Sequence, residues 1–256
     1  MPPSVPSDLP RVARPLHYTI NFVPDAKDLV FSGTTSIDVE VFERTRVLTL
    51  HANELEIASA RLSATGGRAA VPLEIDFDRD EQTVELQAPA PIAPGRYRID
   101  LQYSGKINTQ ATGLFSLDYP DKRTGQPVRG LFTQFEAPDA RRFAPMFDEP
   151  SYKATFDLSA TIPAGLMAVG NMPIASEQPL GDGTKKVTFA TSPKMSSYLL
   201  FFAMGDFERL SREGHNGAQL GIVAPRGSGE QARYALDSLV PLMSYYADYF
   251  GIPYTL

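Results

Sequence analysis

Gly95-Arg96-Tyr97-Arg98-Ile99-Asp100-Leu101-Gln102-Tyr103 decides the fold. Its apolar residues Tyr97, Ile99, Leu101 and Tyr103 stand at every second position, with Arg96, Arg98, Asp100 and Gln102 between them. A helix, turning about 100° per residue, would scatter these side chains around its axis. A strand sends successive side chains to opposite faces and sorts them into a dry side and a wet side. Upstream, Ile37, Val39 and Val41 alternate with Asp38 and Glu40 in the same way. Strands are also predicted over residues 17–23, 47–51 and 55–62. After a turn at Gly66-Gly67, Leu73, Ile75 and Phe77 alternate, then Val84 and Leu86. Downstream, residues 112–117 and 128–136 bracket a polar hairpin loop at 119–125. Ala154, Phe156, Leu158, Ala160 and Ile162 alternate again, short strands follow at 166–170 and 186–190, and the apolar run 198–204 reads as a buried strand. Short strands at this spacing, broken by Gly and Pro, argue for an antiparallel sandwich. No long helix is expected before Phe207.

The character changes after that point. Residues 219–224 read as one more strand, and Ser228 opens a helix, with Ser228-Gly229-Glu230-Gln231 fitting a capping box. Ala232, Ala235, Leu236, Leu239, Val240, Met243, Ala247 and Phe250 recur at helical spacing and form one apolar stripe. Pro241 falls inside this helix and predicts a kink, while Gly251 and Pro253 mark its end. The only expected support for the stripe is the β segment just before it. The chain therefore divides into a β domain over residues 1–207 and the start of a second domain over 208–256.

At 256 residues with 43% hydrophobic content, the chain has ample material for a core. The 30 acidic and 24 basic residues leave a net charge of −6 and no basic run, which argues against nucleic-acid binding. No stretch approaches the roughly 20 apolar residues of a membrane span. The chain has no cysteine, so disulfides and thiolate metal sites are excluded. Residues 1–8, MPPSVPSD, have neither a basic segment nor an apolar one. The expectation is a cytoplasmic protein if Met1 is the natural start, and a periplasmic or secreted one if a signal was removed.

Residues 131–150, LFTQFEAPDARRFAPMFDEP, concentrate the chemistry. As a strand, Phe132, Gln134 and Glu136 share one face, with Thr133 and Phe135 turned to the core. An amide beside a carboxylate, flanked by aromatics, can grip a small ligand carrying a positive charge. The plainer reading is that carboxylates beside turns and prolines cap their own backbone. Asp139, Arg141 and Arg142 read as a salt-linked turn that supports the strand. Asp148 and Glu149 do not read as a paired-carboxylate catalyst, because sequence neighbours at a turn diverge in space. The three histidines, His17, His51 and His215, lie too far apart for a zinc-binding H-E-x-x-H helix, and His17 and His51 read as surface or rim residues.

The pattern TQFE-x-P-DARR-x-x-P-x-FDEP resembles the stretch shared by zinc aminopeptidases related to aminopeptidase N. Val169-Gly170-Asn171-Met172-Pro173 is similar to that family's S/G-N-M-P turn. Residues 197–207 resemble the strand that closes its amino-terminal domain, and residues 249–254 the approach to its catalytic segment. Met146 stands where many relatives carry Cys, a packing change. The resemblance implies a β-saddle amino-terminal domain followed by the first strand and helix of a truncated thermolysin-like catalytic domain. It also implies that Glu136 binds the α-ammonium of peptides with a free N-terminus, and that Gln134 lines the pocket for their first side chain. The zinc ligands and the G-A-M-E-N segment are expected beyond Leu256, so no catalytic or metal-ligating residue is assigned within these residues, and the 256 residues alone are expected to be inactive. The protein is expected to be a monomer. The alternative is a non-catalytic β-sandwich that serves as a protein-interaction module.

Overall fold

The computed structural model describes residues 8–65, 69–136, 138–214 and 217–254. The leader through Ser7, the Gly66-Gly67 turn and His215 lie outside the described residues. The strands, in chain order, are β1 (Ala13–Asp25), β2 (Val30–Val41), β3 (Thr45–His51), β4 (Leu55–Ala64), β5 (Val71–Pro72) and β6 (Glu74–Asp78). Then come β7 (Thr83–Ile92), β8 (Gly95–Lys106), β9 (Gly113–Pro120), β10 (Pro127–Gln134), β11 (Lys153–Pro163) and β12 (Met167–Gly170). The last are β13 (Ile174–Pro179), β14 (Thr184–Phe189), β15 (Met195–Ser196), β16 (Phe202–Gly205), β17 (Phe207–Glu213) and β18 (Gln219–Pro225), followed by helix α1 (Gly229–Phe250). The chain is mainly β, as its alternation requires.

The decisive stretch is β8, which lies between β2 and β4 in the largest sheet, ordered β13-β14-β11-β1-β2-β8-β4-β5 with β15 also on β11. Ile99, Leu101 and Tyr103 are buried and Arg96, Arg98 and Gln102 exposed, so the strand is wet on one side only. β2 runs antiparallel to both neighbours, with Ile37 facing Ile99 and Tyr18 across the ladders. The antiparallel expectation needs one amendment. β1 and β11 pair in parallel, with His17 opposite Thr155 and Phe22 opposite Ala160. Side-chain alternation reports which face is buried but not strand direction, and a parallel pair needs a long crossover, which the intervening chain supplies.

The chain falls into two compact units: Met1–Leu117, Leu131–Ala164 and Ala168–Ala203 in the first, the remainder in the second. In the first, aromatic rings pack β1 against Phe143 and against Phe202 of β16. Phe22 of β1 meets Phe143 and Phe202 edge-on at 4.9 and 4.8 Å between ring centres. Phe143 also lies against Phe31 and Phe135. This fully buried phenylalanine, from the candidate stretch itself, is the hub of the core.

The apolar run at 198–204 is not one strand. Residues Ser197–Leu199 form a single 3₁₀ turn, β16 begins only at Phe202, and Leu199 and Phe201 are 49% and 38% exposed. The cause is Asn171, whose side-chain amide donates to the Leu199 carbonyl (2.8 Å) and accepts the Phe201 amide (2.7 Å). One side chain thus supplies the pairing that a neighbouring strand would have given.

In the second unit, β17 and β18 form a hairpin, and α1 lies against both. Leu236 is buried, but Tyr234, Tyr249 and Phe250 are 84%, 69% and 64% exposed, so the hairpin covers only part of the helix. The helix ends, as expected, at Gly251 in the left-handed conformation (φ 65°). Its start departs from the capping box, since the Ser228 side chain makes no cap hydrogen bond. Glu208 of β17 takes the Gly229 amide instead (2.6 Å), and a carboxylate there also opposes the positive end of the helix dipole. Glu208→Ala is expected to destabilise the helix by about 1 kcal/mol, the usual effect of losing a cap. Circular dichroism during thermal unfolding reads this, and an unchanged melting curve would assign the cap elsewhere.

The loop before β10 is organised by Asp121, which accepts the Arg123 backbone amide (2.8 Å) and pairs with its guanidinium (3.0 Å). The Arg123 side chain, and next its amide, hold the Asp121 carboxyl down to about 2. A carboxyl lowered in the folded state adds stability above its unfolded value of about 3.9, and that stability is lost as pH falls toward 2. Carboxyl-carbon NMR is expected to find the Asp121 midpoint near 2, and Arg123→Ala to return it toward the ordinary 3.8. A midpoint unmoved by that substitution would rule out the guanidinium as the cause.

Candidate functional site

The face predicted for Gln134 and Glu136 is present. Thr133 and Phe135 are buried, Phe132 is half-buried, and Gln134 and Glu136 are exposed. The ladder ends at Gln134, two residues before the expected end, yet the alternation carries on through Glu136. Beyond the ladder the Phe135 carbonyl accepts the Asp139 amide (3.0 Å). Below this rim, Thr133 Oγ1 accepts the Phe202 amide (2.9 Å) and donates to its carbonyl (3.2 Å). Phe135, only 2% exposed, packs on Phe143 with ring centres 5.4 Å apart.

The expected salt-linked turn is a 3₁₀ turn over Ala140–Arg142. Arg142 bridges Asp139 (2.7 Å) and Glu54 (2.6 Å) on its outer side. Glu54 is itself in the left-handed region (φ 55°), a strained backbone for a residue with a Cβ. On the inner side Arg141 and Asp148 form an ion pair with side chains only 3% and 2% exposed. One Asp148 oxygen accepts both the Arg141 amide and its Nε (3.1 Å each), and the Asp148 carbonyl accepts Nη2 (2.9 Å). The other oxygen takes the Ser197 hydroxyl. Glu149 turns away to the Leu9 amide (2.7 Å) and Arg11 (2.7 Å), so the two adjacent carboxylates do diverge.

His51 requires a correction. It is 1% exposed, not a rim residue, because Met146 pairs with it in an antiparallel bridge and covers it. Its Nδ1 accepts the Asp148 amide (3.2 Å), which places the proton of the neutral ring on Nε2. Met146 is fully buried. His17 is half-buried, its Nδ1 2.7 Å from Thr155 Oγ1 and its Nε2 3.3 Å from Asp157.

The carboxylates of this stretch thus differ sharply. Asp139, Asp148 and Glu149 each have a cationic partner. The side chains of Glu136 and Gln134 make no hydrogen bond or ion pair among the described residues, and both residues are exposed. A carboxylate without a partner can accept a cation without first breaking a bond. An open groove of about 790 Å³ lies on the wet face of the largest sheet between Asn21, Ser32, Thr34, Gln102 and Ser104, and neither Gln134 nor Glu136 lines it. Among the described residues no three His, Asp or Glu side chains converge to hold a metal ion, so these residues do not fit a zinc site.

Sequence reasoning missed Asn171, Glu54, Glu208 and Ser197 as structural partners. None carries a local signal, since each is recruited by a residue distant in the chain.

The described residues form a mainly β fold followed by one long C-terminal helix. The family model described as the Peptidase M1 N-terminal domain matches residues 14–199, and the chain belongs to that family. It is 38% identical to the aminopeptidase N of Acetobacter pasteurianus over 248 residues, 97% of this chain and 68% of that protein. It is equally 38% identical to the puromycin-sensitive aminopeptidase of Caenorhabditis elegans over 249 residues, 97% of this chain and 26% of that protein. The human endoplasmic reticulum aminopeptidase 1 is 33% identical over 252 residues, 97% of this chain and 27% of that protein. The chain spans about a quarter of the length of the last two relatives.

Proposed function

We propose that this chain is the amino-terminal part of an aminopeptidase, with Glu136 as the anchor for the substrate α-ammonium and Gln134 beside it lining the pocket for the first side chain. The carboxylate of Glu136, unpartnered among the described residues while Asp139, Asp148 and Glu149 are paired, supports this reading. An ammonium leaving water needs a counter-charge, and a fixed carboxylate in a closing site supplies it. By doing so it also sets where the first peptide bond lies. The substrates are peptides with a free N-terminus, and the reaction is removal of the first residue. The family resemblance brings zinc to this reaction, with its ligands outside the residues described. The first domain of the proposed enzyme comprises residues 1–207, and residues 208–256 begin the next. A pure interaction module is the weaker reading, because it has no use for an unpaired carboxylate beside an amide on a braced rim.

The test compares one peptide with its α-amine free or acetylated, on the complete enzyme and on its Glu136→Gln variant. The wild type is expected to prefer the free amine strongly, and the variant to lose most of that preference. Equal preference in both proteins would remove Glu136 from the role.

A further inference from the structure

Three segments meet at Asp148, two of them on its buried carboxylate. Asp148 holds the backbone and side chain of Arg141, the hydroxyl of Ser197 and, through its own amide, the ring of His51. The Arg141 carbonyl is taken in turn by the Asn53 amide (2.9 Å). Both peptide groups of Arg141 are therefore bound to other segments, although the 3₁₀ turn that carries it is only three residues long. A turn so short has little stability of its own and keeps its shape only if something outside it does the holding.

That turn fixes one end of the Glu136 segment. The other end is fixed by Phe135 against Phe143 and by Thr133 on β16. Between these points the Glu136 side chain makes no hydrogen bond or ion pair among the described residues. Burying an ion pair is unfavourable, and apolar side chains of similar volume would hold a turn at least as well. What the pair adds is direction: the guanidinium fork and the carboxylate must meet in one geometry. Recognition of a substrate group by one carboxylate depends on such placement, to within about half an ångström.

We propose that Arg141 and Asp148 are positioning residues for substrate recognition, orienting the turn that aims Glu136 at the substrate amine, with Arg142 bracing the same turn from outside through Asp139 and Glu54. This rests on the reading of Glu136 as the amine anchor. The pair touches no reacting atom and acts only through Glu136. Its removal should harm free-amine substrates and spare acetylated ones, and should do nothing further once Glu136 has lost its charge.

The experiment is a double-mutant cycle on the complete enzyme with wild type, Asp148→Asn, Glu136→Gln and the double variant, each assayed with the free and the acetylated peptide. Asp148→Asn is expected to lower kcat/KM for the free amine about tenfold, mostly through KM, and to change it less than twofold for the acetylated peptide. In the Glu136→Gln background the same substitution is expected to change either substrate less than twofold. An equal loss in both backgrounds, or on both substrates, overturns the inference and leaves the pair a purely structural element. A silent Glu136→Gln overturns the anchor reading itself, and this inference with it. If Asp148→Asn does not fold, Arg142→Gln takes its place, because its pairs are part-exposed and its loss leaves no fully buried charge. Its expected free-amine loss is about threefold, again confined to proteins with Glu136 intact, and a loss independent of Glu136 has the same overturning force.

Discussion

Glu136→Gln is expected to lower kcat/KM for a free-amine peptide by roughly 30-fold to several thousand-fold. Removing one partner of a desolvated charge pair costs about 2–5 kcal/mol, and each 1.36 kcal/mol is a factor of ten in rate. Glutamine keeps the shape of the side chain and drops only its charge, so backbone and packing stay as they were. The carboxylate pairs with the ammonium in the ground state and the transition state alike, and that share of the loss appears in KM. It also sets where the first peptide bond falls, and that share appears in kcat. A loss below about threefold, under 1 kcal/mol by the same arithmetic, would mean that Glu136 is not the anchor. The exposed position of Glu136 makes the variant informative, since its fold should match that of the wild type.

Asp148→Ala is expected to be the most damaging substitution for stability in residues 131–150. It strands the Arg141 guanidinium in a site where that side chain is 3% exposed, and it leaves the Ser197 hydroxyl and the Arg141 amide without their acceptor. Breaking a buried pair from one side costs about 3–5 kcal/mol. For a domain of this size that amounts to a fall in Tm of roughly 6–20 °C. Arg141 Nη1 already lacks a partner, and in the variant only the main-chain carbonyl of residue 148 would still accept from the guanidinium. Replacing both residues by Met and Leu should cost less than the two single changes added together, because no charge is then left buried. If Asp148→Ala melts within a degree or two of the wild type, the pair is not what holds the turn.

Sequence reading succeeded where the signal is local. The period of two placed Ile99 and Leu101 inside and Arg98 outside, and it put Gln134 and Glu136 on one face even though the strand stops between them. It failed where a distant residue intervenes. The run at 198–204 is apolar throughout and has no period to read, and its turn is imposed by Asn171, 28 residues from Leu199. Ser228 looked like a cap, but Glu208 outcompetes it from 21 residues away. His51 resembled a rim residue because nothing near it in the chain announces that Met146 will cover it. For Glu136, alternation revealed the face. Its lack of a partner among the described residues follows from long-range pairing, with Arg141 on Asp148 and Arg142 on Asp139 and Glu54.

The parallel ladder between β1 and β11 has a consequence for how the protein is made. β2 can fold back on β1 through a short hairpin as soon as both have been synthesised. On its other side β1 must wait for partners 138 residues later, as in the His17–Thr155 contact. An open strand edge beside a growing sheet is a template for wrong pairing, and long-range ladders form slowly because loop closure precedes any gain from contact. The emerging chain therefore carries an unfinished edge at β1 until residue 163 has left the ribosome, and it is over that interval that a chaperone would matter most.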